Sequence, residues 1–281
     1  MAALRSIQNT IPQAMCGAGV SDKVKIFLVI AFETTSFANV ARRQRVKTLL
    51  KRMASGGLVT IRFNRDGSLM TFKLRADEDG DLSVASEFIR GIYSFPPQKP
   101  DQIIDGGANI GLFAVLASRR YPDVTIDCYE ANPANMDALR RNLEINGSNA
   151  RPLNTALWSG DSELIFHSHM AYSGHVTEAG TDVAAEGVLA LRVPAILPEV
   201  AENCWMKLDI EGAEYEVVPA LIAAGRFPRW ITAELHYFLE KGPALVELLR
   251  NSGYDVSGVP AHPNSDMIDI FAERRPATTR N

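Results

Sequence analysis

The chain has 281 residues, of which 46% are hydrophobic and 22% are charged, the proportions of a globular protein with a sizeable core. A formal net charge of −4 gives no electrostatic footprint for nucleic acid, and the apolar run 26–32 is far shorter than the roughly 20 residues of a membrane-spanning helix. Cys16, Cys128 and Cys204 lack the spacing of a metal site, which predicts buried, reduced thiols in a cytoplasmic protein.

The first 56 residues are basic and are predicted to be largely helical. They hold 9 Lys/Arg against 2 Asp/Glu. Residues 1–22 show little pattern, whereas residues 23–36 and 38–54 are predicted as two helices. The charges of the second helix are typical of a solvated helix face. Alternatively, this basic segment could bind an anionic surface or pack against the acidic remainder of the chain. We hypothesise that residues 1–56 cover a substrate groove or form a dimer contact.

A β-hairpin is predicted after these helices. Leu58–Phe63 and Leu69–Leu74 alternate apolar and polar residues around the turn sequence N-R-D-G. A helix is predicted over Ala85–Tyr93, and three prolines within residues 96–100 then break the chain. We interpret the hairpin as accessory to the fold that follows.

The segment 101–111 reads D-Q-I-I-D-G-G-A-N-I-G and is predicted to form a strand, a tight turn and the start of a helix. Its isoleucine pair is the short apolar run that a buried parallel strand needs. Asp105 stands at the carboxyl end of that strand, and the two glycines after it permit a close backbone approach to a ligand. A helix is predicted to begin near Asn109 or Ile110. This is the first half of a βαβ nucleotide-binding unit.

The glycine spacing favours one class of ligand. A phosphate-binding loop needs Lys and then Ser or Thr after its last glycine, whereas Gly111 is followed by Leu112 and Phe113. A dinucleotide site needs G-x-G-x-x-G, which this segment lacks. A turn that opens on an acidic residue suits a cationic ligand without phosphate, such as S-adenosylmethionine. Asp105 would face its ammonium group or an ordered water, and Gly107 would let the backbone lie against its amino-acid part.

A second acidic residue supports a nucleoside ligand. The run 124–129 is predicted as the next strand, and Glu130 follows it directly. A carboxylate at that position can accept hydrogen bonds from both ribose hydroxyls. Enzymes that use NAD also carry an acid there, so Glu130 alone does not separate the two cofactors. Asn132 and Pro133 then predict the start of a helix that ends near residue 145.

The remaining elements alternate between strands and helices. Strands are predicted over about 150–157, 163–170, 189–196, 205–208, 230–235, 254–256 and 267–272, and helices over about 213–224 and 243–251. The last two strands are expected to pair antiparallel. Residues 171–187 are small and polar, which predicts a mobile loop near the active-site face.

Three segments resemble the signature segments of the FkbM-type methyltransferases. They are D-G-G-A-N-I-G at 105–111, Y-E-A-N-P at 129–133 and K-L-D-I-E-G-A-E at 207–214. The resemblance extends over roughly residues 86–256. It implies a class I, Rossmann-like α/β fold, with a seven-stranded, mostly parallel sheet and helices on both faces. The family pattern often has Leu-Asp where this chain has Leu197-Pro198. This difference bears on whether the chain shares the family's acceptor geometry in that region, and not on cofactor binding.

The resemblance also divides the chain and assigns a cofactor. Residues 1–84 are expected to form N-terminal helices and the accessory hairpin, residues 85–275 the methyltransferase domain, and residues 276–281 a loose tail. The implied cofactor is S-adenosylmethionine, with Trp158 as a further candidate beside its adenine. The implied cofactor-binding residues are Asp105, Gly106, Gly107, Asn109, Gly111, Glu130, Ala131, Ala156, Leu157 and Asp209.

Four further residues are candidates for catalysis or for support of the site. Asp209 is the first candidate beside the transferred methyl group, as a base, an orienting group or a metal ligand. Glu211 is a candidate for holding the turn or the acceptor. Glu234 and His236 follow the fifth strand, where a histidine can accept a proton near neutral pH. Lys207 lies inside a strand and is predicted to form a structural ion pair.

No metal site is predicted, although two alternatives are left open. Asp209 and Glu234 could hold a divalent cation, since two carboxylates on one rim suit Mg²⁺. His167 and His169 would share one face of a strand, either as a metal pair or as ordinary surface or substrate-loop residues. His175 lies in the predicted loop that would close over the acceptor.

The predicted function is O-methylation of a hydroxyl on a carbohydrate or secondary metabolite, with a small molecule or a glycan as partner. Transfer to nitrogen or carbon is an alternative, as is a non-catalytic binding module that keeps the fold. Such a module predicts loss of the glycine turn (residues 106–111) or of Glu130, and both are present. Neither a nucleic-acid partner nor a membrane span is expected, and a homodimer is left open.

Overall fold

The computed structural model describes residues 17–34, 40–65, 67–90, 95–168, 174–178, 189–260 and 266–275. Its N-terminal part contains α1 (Val20–Thr34), α2 (Val40–Arg52), β1 (Leu58–Arg65), β2 (Ser68–Arg75) and α3 (Asp79–Arg90). β1 and β2 pair antiparallel, which confirms the predicted hairpin. α3 begins at Asp79 rather than Ala85, with Asp79 and Asp81 in its first turn, where negative charge is favourable.

The remainder of the chain alternates strands and helices. In chain order these are β3 (Gln102–Gly106), α4 (Leu112–Arg120), β4 (Thr125–Tyr129), α5 (Pro133–Ile145), β5 (Arg151–Leu153), β6 (Ala156–Leu157), β7 (Ser162–Ser168), β8 (Gly174–Glu178), β9 (Leu189–Ile196), β10 (Cys204–Leu208), α6 (Glu214–Ala223), β11 (Trp230–Leu235), α7 (Phe238–Asn251), β12 (Tyr254–Pro260) and β13 (Ile268–Arg274). Asn132 caps α5 as predicted, since its side chain accepts a hydrogen bond from the backbone of Ala134.

Seven strands form one sheet in the order β12-β13-β11-β10-β3-β4-β5. β13 is antiparallel to both of its neighbours, and the other pairs are parallel. The predicted α/β class with a mostly parallel sheet is therefore confirmed, as is the antiparallel last pair. The chain leaves β3 for β4 on one side and later returns to β10 on the other. Open α/β sheets bind ligands at such a reversal, outside the carboxyl ends of the strands.

The large sheet is buried on both faces. Ile103 and Ile104 are neighbours on β3, so their side chains point to opposite faces, and both are fully buried. Ile103 belongs to a core that includes side chains of α1, α2, α3, α4, α5 and the hairpin. Ile104 belongs to a second core that includes side chains of α6, α7, β12 and β13. The N-terminal elements thus share a continuous apolar core with one face of the sheet.

Two side-chain amides, one in the last turn of α5 and one at its C-cap, fasten the hairpin to the rest of the fold. The backbone N–H groups of Thr71 and Lys73 donate to the side chains of Asn146 and Asn142, each at 2.9 Å. Asn142 Nδ2 also donates to the carbonyl of Ile110, inside the glycine turn, at 2.8 Å. The hairpin is therefore connected through α5 to the turn. The domain boundary after residue 84 stays a prediction.

Two predictions for the middle of the chain are wrong. The strand predicted over 150–157 is divided, because β5 pairs with β4 in the large sheet while β6 pairs with β9 in a separate four-stranded sheet. Asn154 lies between them, and its side chain donates to the carbonyl of Glu130 at 2.8 Å. Residues 174–178 of the predicted mobile loop form β8, which pairs with β7. Residues 171–173 and 179–187 lie outside the described residues.

The last helix also begins earlier than predicted. α7 starts at Phe238, and Pro243, the predicted first residue, lies inside it. The backbone N–H groups of Phe238 and Leu239 both donate to Asp266, one to its carbonyl and one to its side chain. These bonds satisfy donors that have no partner within the helix, and they allow it to begin before the proline.

Cys128 and Cys204 are buried free thiols, as predicted, and burial raises the pKa of both. Residues 1–16, which include Cys16 and most of the pattern-poor segment 1–22, and the tail 276–281 lie outside the described residues. In the part of the chain that the structure covers, no helix is both long enough and apolar enough to cross a membrane.

Candidate functional site

A cavity of about 330 Å³ lies outside the carboxyl ends of β3, β4, β10 and β11. Its walls are formed by α3, by the residues that follow those four strands, and by part of the four-stranded sheet. Small-molecule sites in proteins have volumes of about 300–1,000 Å³. The position and the size of the cavity are therefore those of a ligand site at the reversal point of the sheet.

The glycine turn forms one wall of the cavity. The backbone N–H groups of Gly107 and Ala108 both donate to the carbonyl of Tyr129 at 3.0 Å. Gly107 has a φ of 72°, and a Cβ there would lie 1.9 Å from the carbonyl oxygen of Asp209. A side chain at this position would collide with the backbone that follows β10. The sequence predicted a close approach of Gly107 to a ligand, and the structure adds a close approach to the protein itself.

Glu130 lines the cavity and ties two segments of backbone together. Its Oε2 accepts a hydrogen bond from the N–H of Asn109 at 2.7 Å, and its Oε1 accepts one from the N–H of Asn132 at 2.8 Å. Burial raises the pKa of Glu130, and these bonds, with a longer one from Asn135, oppose the rise. Asn109 has a φ of 48°, a conformation uncommon outside glycine. Glu130 therefore helps to hold the turn in that conformation.

Lys207 fastens the same turn from the neighbouring strand. It lies opposite Asp105 in the register of β10 with β3, and its Nζ is 3.3 Å from Asp105 Oδ1. The ammonium also donates to the carbonyls of Gly107 at 2.8 Å and Gly106 at 3.2 Å. Burial raises the pKa of Asp105, and Lys207 opposes that rise. The ion pair predicted for Lys207 is confirmed, and Asp105 is fully buried beside it instead of lining the cavity.

Four ionisable residues that line the cavity form an acid–histidine cluster, consisting of Asp209, Glu211, Glu234 and His236. His236 Nε2 is 3.3 Å from Glu211 Oε2 and 3.3 Å from Glu234 Oε1. Asp209, Glu234 and His236 each offer one ligand atom within 4.8 Å of the other two. Nδ1 of His236 is buried and has no hydrogen-bond partner among the described residues. The structure thus brings together all four residues that the sequence predicted for catalysis.

Burial raises the pKa values of two carboxyl groups of the cluster, Glu211 and Glu234. Burial raises the pKa of Glu234, and the negative charges of Asp209, Asp269 and Glu87 raise it further. Burial also raises the pKa of Glu211, although the neighbouring imidazole opposes the rise. A site of this kind favours the uptake of a proton or of a cation.

Glu214 shapes the turn that follows β10. Its side chain is fully buried, and its two oxygens accept hydrogen bonds from the N–H groups of Ile210 and Gly212, each at 2.8 Å. Glu211, inside this turn, has a φ of 56°. Burial raises the pKa of Glu214 to about 7. Glu214 was not among the predicted site residues, although it is the last residue of the signature segment 207–214.

The predicted cofactor residues fall into two groups. Those that line the cavity are Gly107, Asn109, Glu130, Ala131, Ala156, Leu157 and Asp209. Gly106 and Gly111 are buried and, like Asp105, do not line the cavity. They belong to the backbone beneath its wall. Trp158, predicted beside the adenine, packs against the core of the four-stranded sheet instead. The role of each residue toward a cofactor stays a prediction.

His167, one of the two histidines considered for a metal, is not among the described residues that line the cavity. His167 is buried on β7, and its Nε2 is 2.8 Å from the hydroxyl of Thr177 on β8. This contact joins two strands, so His167 is neither a surface residue nor part of the acid–histidine cluster. His169 and the side chain of His175 lie outside the described residues.

The contribution of α3 to the cavity was not predicted from the sequence. Ser83, Val84 and Glu87 line the cavity, whereas none of the lining residues comes from the described residues between 17 and 56. No motif marks these three residues, because α3 reaches the site only by packing in the core next to the sheet. A helical pattern in the sequence predicts a buried face, but it does not predict what the opposite face will border.

Comparison with known proteins identifies the same region. The family model described as the methyltransferase FkbM domain matches residues 105–256. A protein described as methyltransferase sdnD, from Sordaria araneosa, is 27% identical over 209 residues, covering 62% of this chain and 81% of that protein. Methyltransferase 1 of Beauveria bassiana (strain ARSEF 2860) is 33% identical over 159 residues, covering 48% of this chain and 64% of that protein.

Solved structures of methyltransferases resemble the chain more distantly. A precorrin-6y C5,15-methyltransferase from Geobacter metallireducens GS-15 has a TM-score of 0.39 at 15% identity, covering 64% of this chain and 82% of that chain. TYW2 of M. jannaschii, in complex with AdoMet, has a TM-score of 0.43 at 14% identity, covering 79% of this chain and 90% of that chain. At such scores the relationship depends on the sequence match, which contains the glycine turn, Glu130 and residues 207–214.

Proposed function

The chain belongs to the FkbM methyltransferase family, and on that basis we propose that it transfers a methyl group from S-adenosylmethionine to a hydroxyl of a carbohydrate or secondary metabolite. One observation carries the proposal. A single cavity joins the glycine turn and Glu130 to the acid–histidine cluster. A nucleoside site and a group that takes up a proton are the two parts that such a transfer needs.

The wall around Glu130 supports the cofactor part of the proposal. Each carboxylate oxygen already accepts a backbone hydrogen bond, and Oε1 accepts a longer one from Asn135, which leaves a lone pair on Oε2 for a ribose hydroxyl. Ala156 and Leu157 offer an apolar surface for the adenine. The backbone of Gly107 and Asn109 would border the amino-acid part, and the lack of a phosphate-binding sequence agrees with a cofactor that has no phosphate.

The acid–histidine cluster supports a hydroxyl as the acceptor. In the proposed reaction the hydroxyl oxygen attacks the methyl carbon, the C–S bond breaks, and its electron pair stays on sulfur. The hydroxyl proton passes to a carboxylate of the cluster or to His236. A positioned base contributes about 10²- to 10⁴-fold. A neutral amine needs such a base less, because it can attack with its own lone pair.

Asp209 is assigned the position beside the methyl group. Its backbone N–H donates to the carbonyl of Gly106 at 3.2 Å, so it is held next to the glycine turn. Its side chain is 42% exposed, against 25% for Glu234 and 13% for His236. Asp209 is therefore the member of the cluster that borders both the cofactor wall and the open part of the cavity.

Calorimetric titration with S-adenosylhomocysteine tests the cofactor part. We expect micromolar binding by the wild type and affinity weaker by about tenfold or more in Glu130→Gln, because Gln has one acceptor oxygen where the carboxylate has two. Glu144→Gln, on the exposed side of α5, is the matched control, and NAD is the control ligand. A folded wild-type protein that does not bind S-adenosylhomocysteine would contradict the proposal.

The acceptor is tested separately with methyl-labelled S-adenosylmethionine. Sugars, polyketide alcohols and matched amines are offered to the wild type and to Asp209→Asn. We expect label only in products formed from acceptors that carry a hydroxyl, as methyl ethers, and much less of it with Asp209→Asn. Label in amines alone would favour N-methylation, and cofactor binding without any product would favour the binding module.

A further inference from the structure

Asp209, Glu234 and His236 bring two carboxylates and one imidazole to one point of the cavity wall. One ligand atom of each lies within 4.8 Å of the other two. The separation between His236 Nε2 and Glu234 Oε1 is 3.3 Å. Two adjacent ligands that each lie about 2.1 Å from a six-coordinate ion are about 3 Å apart. The spacing of this one pair is therefore close to that of two atoms that share a metal ion, and a small approach of Asp209 would complete the set.

Hydrogen bonding alone accounts poorly for the position of His236. Its Nε2 is 3.3 Å from both Glu211 and Glu234, whereas hydrogen bonds from nitrogen to oxygen usually measure about 2.7–3.2 Å. A single N–H shared between two carboxylates makes only a weak, three-centred hydrogen bond with each. Since Nδ1 is buried without a hydrogen-bond partner among the described residues, none of them fixes the tautomer through that atom. An ion on Nε2 would fix both the ring and its tautomer.

The charges around these residues also favour a cation. Lys207 is the neighbouring ammonium, but it lies 3.3 Å from Asp105 and 3.9 Å from Asp209, so its charge is shared between two carboxylates. Glu211 adds a further carboxylate to the same wall. Removing several carboxylates from water is unfavourable unless a counter-charge accompanies them. A divalent cation would supply that charge at the point where the carboxylates meet.

We propose that Asp209, Glu234 and His236 bind one divalent cation of the transition-metal class, represented by Mn²⁺. Carboxylates suit Mg²⁺ and Mn²⁺, and an imidazole shifts the preference toward transition metals. Three protein ligands leave positions open for a ligand from the cavity. For its chemical use the inference rests on the proposed function, because the ion would hold the acceptor oxygen and acidify its hydroxyl. Glu211 would then remain as the base.

Binding of Mn²⁺ to the full chain tests the inference without an activity assay. Wild-type protein treated with a chelator is titrated with Mn²⁺, and the free ion is followed by electron paramagnetic resonance. We expect one ion per chain in the wild type and a loss of affinity of more than about tenfold in Asp209→Asn and in Glu234→Gln. Glu240→Gln, an exposed residue in the first turn of α7, is the matched control and should bind like the wild type.

The cofactor affinity of the same preparations separates this inference from the proposed function. Glu234→Gln that has lost Mn²⁺ but keeps its affinity for S-adenosylhomocysteine and its circular-dichroism spectrum supports the ion site. A folded wild type that binds none of Mn²⁺, Zn²⁺ and Mg²⁺, or variants that both keep Mn²⁺, would overturn it. S-adenosylhomocysteine binding without ion binding overturns the ion site alone, whereas ion binding without S-adenosylhomocysteine binding supports the site and overturns the proposed function.

Discussion

At the scale of single residues, Glu214 shows how one buried carboxyl group supports the site without lining it. It accepts the backbone hydrogen bonds of Ile210 and Gly212, one on each oxygen. The turn that it fixes presents Asp209 and Glu211 to the cavity. Burial of the same group raises its pKa to about 7, so its protonation changes near neutral pH.

We predict that Glu214 makes stability fall as pH rises. Its folded-state pKa of about 7 lies above the ordinary value of 4.5, so the folded state binds more protons than the unfolded state between these values. The free energy of unfolding therefore decreases across that interval and stays lower above it, by on the order of 3 kcal/mol for this group. Glu214→Gln does not titrate and should lack this decrease.

Urea unfolding of the wild type and Glu214→Gln at about pH 5 and about pH 8 measures the effect. The other buried carboxyl groups titrate in both proteins, so the difference between the two pH dependences belongs to Glu214. Parallel dependences would contradict the prediction. A steeper decrease in the wild type than in the variant would agree with it.

At the scale of elements, the glycine turn is held by three partners that are far apart in sequence. Glu130 accepts from the backbone of Asn109, Lys207 donates to two of the carbonyls of the turn, and Asn142 donates to the carbonyl of Ile110. These contacts fasten the turn to the edge of the sheet from three sides.

We predict that Gly107→Ala is much more harmful than Gly147→Ala. Both glycines have positive φ values, 72° and 59°, so both variants incur about 1–2 kcal/mol of backbone strain. A Cβ at Gly147 would meet nothing within 4 Å, whereas one at Gly107 would lie 1.9 Å from the carbonyl oxygen of Asp209. Gly107→Ala should therefore displace the backbone after β10 and weaken S-adenosylhomocysteine binding as well as stability.

Denaturant unfolding and calorimetry on the two variants measure these effects. Gly147→Ala serves as the control for strain, since it lies at the end of α5 and outside the cavity lining. Equal losses of stability in both variants, with cofactor affinity unchanged in Gly107→Ala, would show that the turn yields easily to a side chain.

At the scale of the whole molecule, the N-terminal elements are integrated with the sheet. Their apolar residues belong to the same core as α4 and α5, and Asn142 and Asn146 bind the backbone of β2. α3 also supplies part of the cavity wall. These contacts make it unfavourable for residues 17–90 to unfold while the sheet stays folded.

We predict a single cooperative unfolding transition. The three tryptophans, Trp158, Trp205 and Trp230, all lie in the second half of the chain, whereas far-ultraviolet circular dichroism reports on the helices of both parts. Denaturant curves measured by fluorescence and by circular dichroism should therefore coincide. A loss of helix signal before the fluorescence changes would instead favour an independent N-terminal domain, with its boundary near residue 84.

The sequence by itself determined the elements whose causes are local. The apolar pair Ile103 and Ile104, the glycines that follow it and the cap at Asn132 each predict their structure from residues only a few positions apart. The order of strands and helices then fixes the fold class, because parallel strands need crossover helices. The positions of Glu130 and Asp209 at strand ends follow from the same pattern, and so does their meeting at one edge of the sheet.

Only the tertiary structure decided features that join distant parts of the chain. The register of β10 with β3 brings Lys207 to Asp105, and the meeting of two strand ends brings His236 between Glu211 and Glu234. The wall supplied by α3 depends in the same way on how helices pack in a shared core. The periodicity of apolar residues predicts which face of a helix or strand is buried, but it does not predict which other element packs against that face. Pairings of this kind are fixed when the elements assemble, because packing and charge are satisfied only then.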